Sequence, residues 1–187
     1  MEQNQQNEKL QQWKNQISSF LFPRWNELPE VDLYMDQVVG YLSQKLSVFY
    51  DTEDEDSGKM ITATMINNYV KQRIIAAPVK KRYDRSCVSA LIVLFCLKQV
   101  LSIGSSGAVI AQCRWNEDPA GAYDRFCHIF ETVLHRTVSE NKCFEQDVDV
   151  DSDPCLSAVA IAFTNKLYAE KIIQSLVQPK SDVHTEK

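Results

Sequence analysis

Leu10, Trp13, Ile17 and then Phe20 or Leu21 recur at spacings of three and four in a Gln-rich stretch, so the pattern predicts an amphipathic helix that ends before Pro23. Leu33 to Leu46 predicts a second helix, with Asp32 as its N-cap. At 100 degrees per residue, Ile61, Met65, Ile66, Tyr69 and Val70 fall on one side of a third helix, from Thr62 to about Gln72. Thr64, Asn67 and Lys71 fall on the other side, flanked by Asn68, and Thr62 suits the N-cap. The next residues, "IIAAPVKKRY", carry two apolar anchors, a proline and a cationic tip, which suits a short extended wing. Asp84 or Ser86 then caps a long helix running to about Leu101. Gly104 and Gly107 in "SIGSSGA" predict a break, followed by a short helix over Val109 to Arg114. Two later helices, "DPAGAYDRFCHIFETVLHRTV" and "DPCLSAVAIAFTNKLYAEKIIQSLV", each begin with Asp as N-cap and Pro at the first helical position.

The fold class expected from this pattern is all-α. Composition agrees, with 44% apolar residues and only 5 Gly and 6 Pro among 187 residues. The longest apolar run, Val88 to Leu97, falls well short of the roughly 20 residues a membrane span needs, so it reads as a buried helix. The start, "MEQNQQNEKLQQW", lacks the basic and apolar regions of a secretory signal, and a cytoplasmic location with no membrane partner is expected. The six cysteines show no C-x-x-C pair and no histidine at finger spacing, which predicts reduced, packed thiols and no metal or other cofactor. The linker "EQDVDVDSD" has spaced aspartates, but counting from Asp147 it places Ser152 where a calcium loop needs Gly and Ala158 where it needs Glu.

Charge changes the picture most. From Lys59 to Arg85 there are seven cations and a single acid, Asp84, a local balance of +6 in a chain whose net charge is −5. Such segregation is a footprint for a polyanion. A helix presenting Thr, Asn and Lys suits a major groove, where Asn bonds adenine edges and Thr meets bases or phosphate. An opposing run lies close by, with five acids between Asp51 and Asp56; it reads as a solvated connector.

"MINNYVKQRII..P" followed by "KRYDRSCVSALIVL" resembles the winged helix-turn-helix of MerR-type regulators. Tyr69 matches the tyrosine ending the recognition helix, Ile74 and Ile75 the apolar pair, and Arg82 and Tyr83 the exit from the wing. Val88, Leu91, Leu94 and Leu97 match the spaced leucines of the long helix, and Arg73 stands where that family's turn carries glycine. The longer string "LPEVDLYMDQVV...TATMINNYVKQRIIAAPVKKRY...LKQVLSI" is similar to a bacterial family known as domain of unknown function 1836, itself viewed as MerR-like.

The resemblance implies a MerR-like winged helix-turn-helix over residues 28–104; around it the expected division is an amphipathic helix before (1–27), a helical dimerisation or sensing region after (105–180) and a disordered tail (181–187). It implies double-stranded DNA as partner, with Asn67, Tyr69 and Arg82 at phosphate or base edges and Lys80 and Lys81 in the wing; together with Thr64, Asn68 and Lys71 from the polar face of the third helix and Tyr83 at the wing exit, these are the expected DNA contacts. Palindromic sites would ask for a homodimer through the helices starting at Pro119 and Pro154. Nothing identifies an effector; His128, His135 and Tyr123 are candidates to line a pocket, against packing or surface roles. The alternative is a protein-interaction module that kept the winged fold and lost DNA binding. No enzyme is expected, for want of a phosphate loop, paired-histidine motif or nucleophile elbow.

Overall fold

A computed structural model describes residues 2–49, 61–113, 115, 117–140 and 153–176 of the chain. The fold is all-α, apart, among the described residues, from one two-stranded sheet. Helix α1 (Glu2–Ser18) is followed by a single 3-10 turn at Trp25–Glu27, then strand β1 (Leu33–Tyr34) and helix α2 (Met35–Lys45). After α3 (Ala63–Lys71) come strand β2 (Arg82–Tyr83), α4 (Arg85–Leu97), α5 (Ile103–Gln112), α6 (Pro119–Glu140) and α7 (Pro154–Leu176). Among the described residues no helix is long and apolar enough to cross a membrane.

Helix α4 organises the core. Every residue from Cys87 to Leu97 is buried, with β2, α5, α6 and α7 packed around it. A helix apolar on all sides has to be enclosed. Beside it, a chain of phenylalanine rings joins distant parts of the sequence. Phe20 meets Phe49 at 4.8 Å, Phe49 meets Phe163 at 5.4 Å, and Phe163 meets Phe130 at 5.8 Å.

Residues 20 to 25 lie along α6 and are held there by its polar stripe. Phe22 N–H donates to Glu131 Oε1 at 2.7 Å, the Arg24 guanidinium pairs with Glu131 Oε2 at 2.5 Å, and Trp25 N–H donates to Asp124 Oδ1 at 2.9 Å. His135 Nε2 lies 2.7 Å from the Phe20 carbonyl oxygen. Glu131 is only 5% exposed, so these bonds satisfy a carboxylate that burial would otherwise penalise.

The caps expected at the later helices are present. Asp118 Oδ1 accepts from Gly121 N–H and Asp153 Oδ1 from Leu156 N–H, each with proline next in line. Asp84, not Ser86, caps α4, accepting from Cys87 N–H at 2.8 Å. Three expected boundaries need correction. The first helix ends at Ser18, so Phe20 packs from the segment that follows while Leu21 is 62% exposed. The second helix begins at Met35 rather than Leu33, and its first turn is tied by Gln37 reaching back to Tyr34 N–H rather than by Asp32. Pairing with β2 takes Leu33 and Tyr34 out of the helix. Helix α4 stops at Leu97, short of Leu101.

The glycine break is absent: α5 runs from Ile103 through both glycines, capped by Ser102, whose hydroxyl accepts from Ser105 N–H at 3.1 Å. At Gly107 α5 passes close to Ile74, in the turn after α3. A Cβ there would sit 3.2 Å from Ile74 Cγ1, so the missing side chain allows the approach.

Of the cysteines, the five described are free thiols, with Cys87, Cys96 and Cys127 buried. Burial pushes Cys87 and Cys127 up to about 12 and Cys96 well above the ordinary thiol value. Cys143 and most of the aspartate linker, up to Ser152, lie outside the described residues. Among the described residues no group of three or more His, Cys, Asp or Glu is placed to hold a metal ion.

Candidate nucleic-acid interface

Thr62 starts α3, its hydroxyl accepting from Met65 N–H at 3.2 Å. From there the helix divides as its sequence dictates. Ile61 and Ile66 are buried, and Met65, Tyr69 and Val70 are half-buried. Thr64, Asn67, Asn68 and Lys71 are exposed. Burial raises the Tyr69 hydroxyl above the ordinary tyrosine value, and that side chain borders the apolar pocket between α2, α3 and α4. The floor of the pocket includes Lys98, whose amine burial holds below the ordinary lysine value.

The end of α3 is a Schellman turn built without glycine. Ile74 N–H donates to the Tyr69 carbonyl and Arg73 N–H to that of Val70, both at 3.0 Å. Arg73 sits in the left-handed region at φ 58. It adopts the conformation glycine would take, at a cost glycine would not carry. The turn directs Ile75 into the core, where it is 2% exposed, and the chain onward to the hairpin.

That hairpin is tighter than an extended wing. Val79 and Arg82 exchange both backbone hydrogen bonds, at 3.0 and 2.9 Å, leaving Lys80 and Lys81 as the two loop residues. Their φ values of 50 and 64 are both positive, the mark of a type I′ turn, which usually selects Asn-Gly. Both lysines are exposed and make no hydrogen bond or ion pair among the described residues.

β2 then pairs antiparallel with β1, Leu33 opposite Tyr83 and Tyr34 opposite Arg82. Strand alternation separates the two pairs. Tyr83 turns inward and is 2% exposed, which corrects its expected role as a DNA contact: its side chain is core. Arg82 turns outward, its guanidinium 4.8 Å from the Tyr34 ring centroid and its Nη2 donating to Tyr34 Oη at 2.9 Å.

The other charges of the basic run divide. Arg85 is drawn back toward Glu30 (3.8 Å), the Pro29 carbonyl (3.4 Å) and the Trp25 ring (5.8 Å). Asp84 is committed to capping α4. Lys71, Arg73, Lys80, Lys81 and Arg82 remain exposed, while Lys59 and the acidic run 51–56 lie outside the described residues. The three candidate pocket residues are dispersed: Tyr123 is fully buried, His135 holds the Phe20 carbonyl, and His128 is exposed.

Tyr34 is the residue of this region that sequence reading missed. The hydrophobic pattern places it in a helix, and only the register of β1 on β2 sets it over Arg82. No curated protein and no solved structure matches the chain. The model of the family described as Domain of unknown function (DUF1836) matches residues 23–126, which covers the hairpin, α2 to α5 and the first turns of α6. With more than half of its length matched, the chain belongs to that family.

Proposed function

We propose that the protein is a sequence-specific DNA-binding transcription regulator, with residues 28–104 forming a MerR-like winged helix-turn-helix in which α3 reads the major groove and the hairpin at Lys80–Lys81 grips the backbone. The observation that carries this reading is the division of α3. Its apolar side chains are turned in, its Thr64, Asn67, Asn68 and Lys71 side chains are exposed, and the chain then passes through Arg73 to a hairpin tip of two lysines. A solvated surface helix needs no such tip, and two adjacent lysines in the left-handed region are costly enough to ask for a reason. Thr64 and Asn67 serve base edges, Lys71, Lys80, Lys81 and Arg82 serve phosphates, and Tyr69 contributes from the margin of the helix.

A dimer follows from this reading if the site is two-fold symmetric. The surfaces available to it lie on α6 and α7, where Ile173 is 56% exposed. A second reading, a protein-interaction module on the same fold, is favoured by Val31 and Val79, each 72% exposed near or on the hairpin, and by the net charge of −5.

Selection from a pool of random duplex DNA at two salt concentrations tests the choice, beside a K80A/K81A/R82A control. Enrichment of a motif, steeply weakened by salt and lost in the control, is expected. No retention at low salt would overturn the DNA reading in favour of a protein partner.

A further inference from the structure

We propose that Tyr34 is a positioning residue of the DNA contact, holding the Arg82 guanidinium in the pose in which it meets a phosphate; this rests on the DNA-binding reading above. The pair is cross-strand and outward-facing, next to the inward-facing pair of half-buried Leu33 and buried Tyr83. Two separate contacts fix the guanidinium, the Tyr34 ring face at 4.8 Å and the phenol oxygen at 2.9 Å. Tyr34 remains 45% exposed and Arg82 is exposed, so the contact buries neither group and leaves the arginine facing solvent.

An arginine carries five N–H donors in a planar fork. Here one is spent on the phenol oxygen, and the rest are available for a bidentate contact with a phosphate. A free arginine would have to lose side-chain freedom on binding, whereas this one has lost much of it beforehand. Lys80 and Lys81, two and one residues earlier, are exposed and have no such partner among the described residues. The hairpin therefore offers two kinds of cation, an unpartnered pair at the tip and one held fork at its base. Arg82 is held on both sides, opposite Val79 across the two-residue turn and opposite Tyr34 across the pairing of β1 with β2.

A double-mutant cycle on duplex DNA binding tests the role, using Y34F, Y34A, R82A and Y34A/R82A in the full chain. R82A is expected to weaken binding on all sequences and to lower the salt slope by about one. Y34A is expected to weaken binding by roughly two- to ten-fold with the slope unchanged, and to do nothing further in the R82A background. Y34F, which keeps the ring and removes the hydroxyl, should fall between wild type and Y34A. Equal loss from Y34A in both backgrounds, or loss in neither, would overturn the positioning role while leaving DNA binding standing. Failure of the wild type to retain duplex DNA would overturn the DNA reading itself. A measurement without DNA adds a direct check: the Arg82 guanidinium resonance should be more mobile in Y34A than in wild type. Unchanged mobility would also overturn the role.

Discussion

Replacing Lys80-Lys81 by Asn-Gly should make the protein more stable and a poorer DNA binder at the same time. Both lysines sit at positive φ, and the left-handed region costs a residue with a β-carbon about 1 kcal/mol, so the turn stores about 2 kcal/mol. Asn and Gly relieve most of that. Glycine returns about 0.7 kcal/mol through the greater freedom it gives the unfolded chain. The net expectation is a gain of about 1 kcal/mol, which for a chain of this length raises Tm by about 2 to 4 °C. Urea and thermal unfolding of K80N/K81G against wild type measure the gain, and salt-dependent retention of duplex DNA measures the loss. With two phosphate contacts removed, the salt slope should fall by about two. A variant that is no more stable would show that the turn is unstrained. A variant that is more stable yet binds DNA unchanged would show that the lysines do not contact phosphate.

Other expectations are simpler to check. T62A removes the N-cap of α3 and should cost about 1 kcal/mol by urea unfolding, with T62D recovering most of it. E131A orphans the Phe22 N–H and leaves the Arg24 guanidinium without its partner, and should cost about 1 to 3 kcal/mol. E131Q retains an acceptor for Phe22 and should lose less; equal loss in the two variants would contradict this account. Cys87 and Cys127 are held protonated by burial up to about 12, so above pH 9 the unfolded chain releases thiol protons that the folded chain keeps. Their contribution is therefore intact below about pH 9 and declines as pH rises toward 12, at up to about 1.4 kcal/mol per pH unit per thiol. A urea midpoint that stays constant from pH 8 to 10.5 would refute this. In the native protein at pH 8, iodoacetamide should leave Cys96 unmodified over a time in which the unfolded chain reacts fully; native labelling of Cys96 would show that its core opens locally.

Where local chemistry decides, the sequence was legible. Thr62, Asp84, Asp118 and Asp153 cap their helices through their own side chains, and the inner and outer faces of α3 follow from spacing alone. Tertiary contacts decided the rest. Nothing in "DLY" announces a strand, because Leu33 and Tyr34 become one only by meeting Arg82 and Tyr83 some fifty residues later. Gly104 and Gly107 look like helix breakers, yet Ser102 supplies a start signal and packing against Ile74 rewards the small residue at 107. In the candidate site, the exposed face of α3 was readable from periodicity. The inward turn of Tyr83 was not, since two-residue alternation has no phase until the pairing register is known.

The complete enclosure of α4 has a consequence for how the molecule comes apart. Its neighbours on different sides, the hairpin strand β2 as well as α6 and α7, share one helix as their common wall. Amide protons along Cys87 to Leu97 should then exchange with solvent only when the whole chain opens, giving them the largest protection in the molecule. Anything that binds at the hairpin and not to the unfolded chain will slow that exchange by the same factor at every one of these α4 amides, so hydrogen exchange in the core can report whether the lysines have found a ligand.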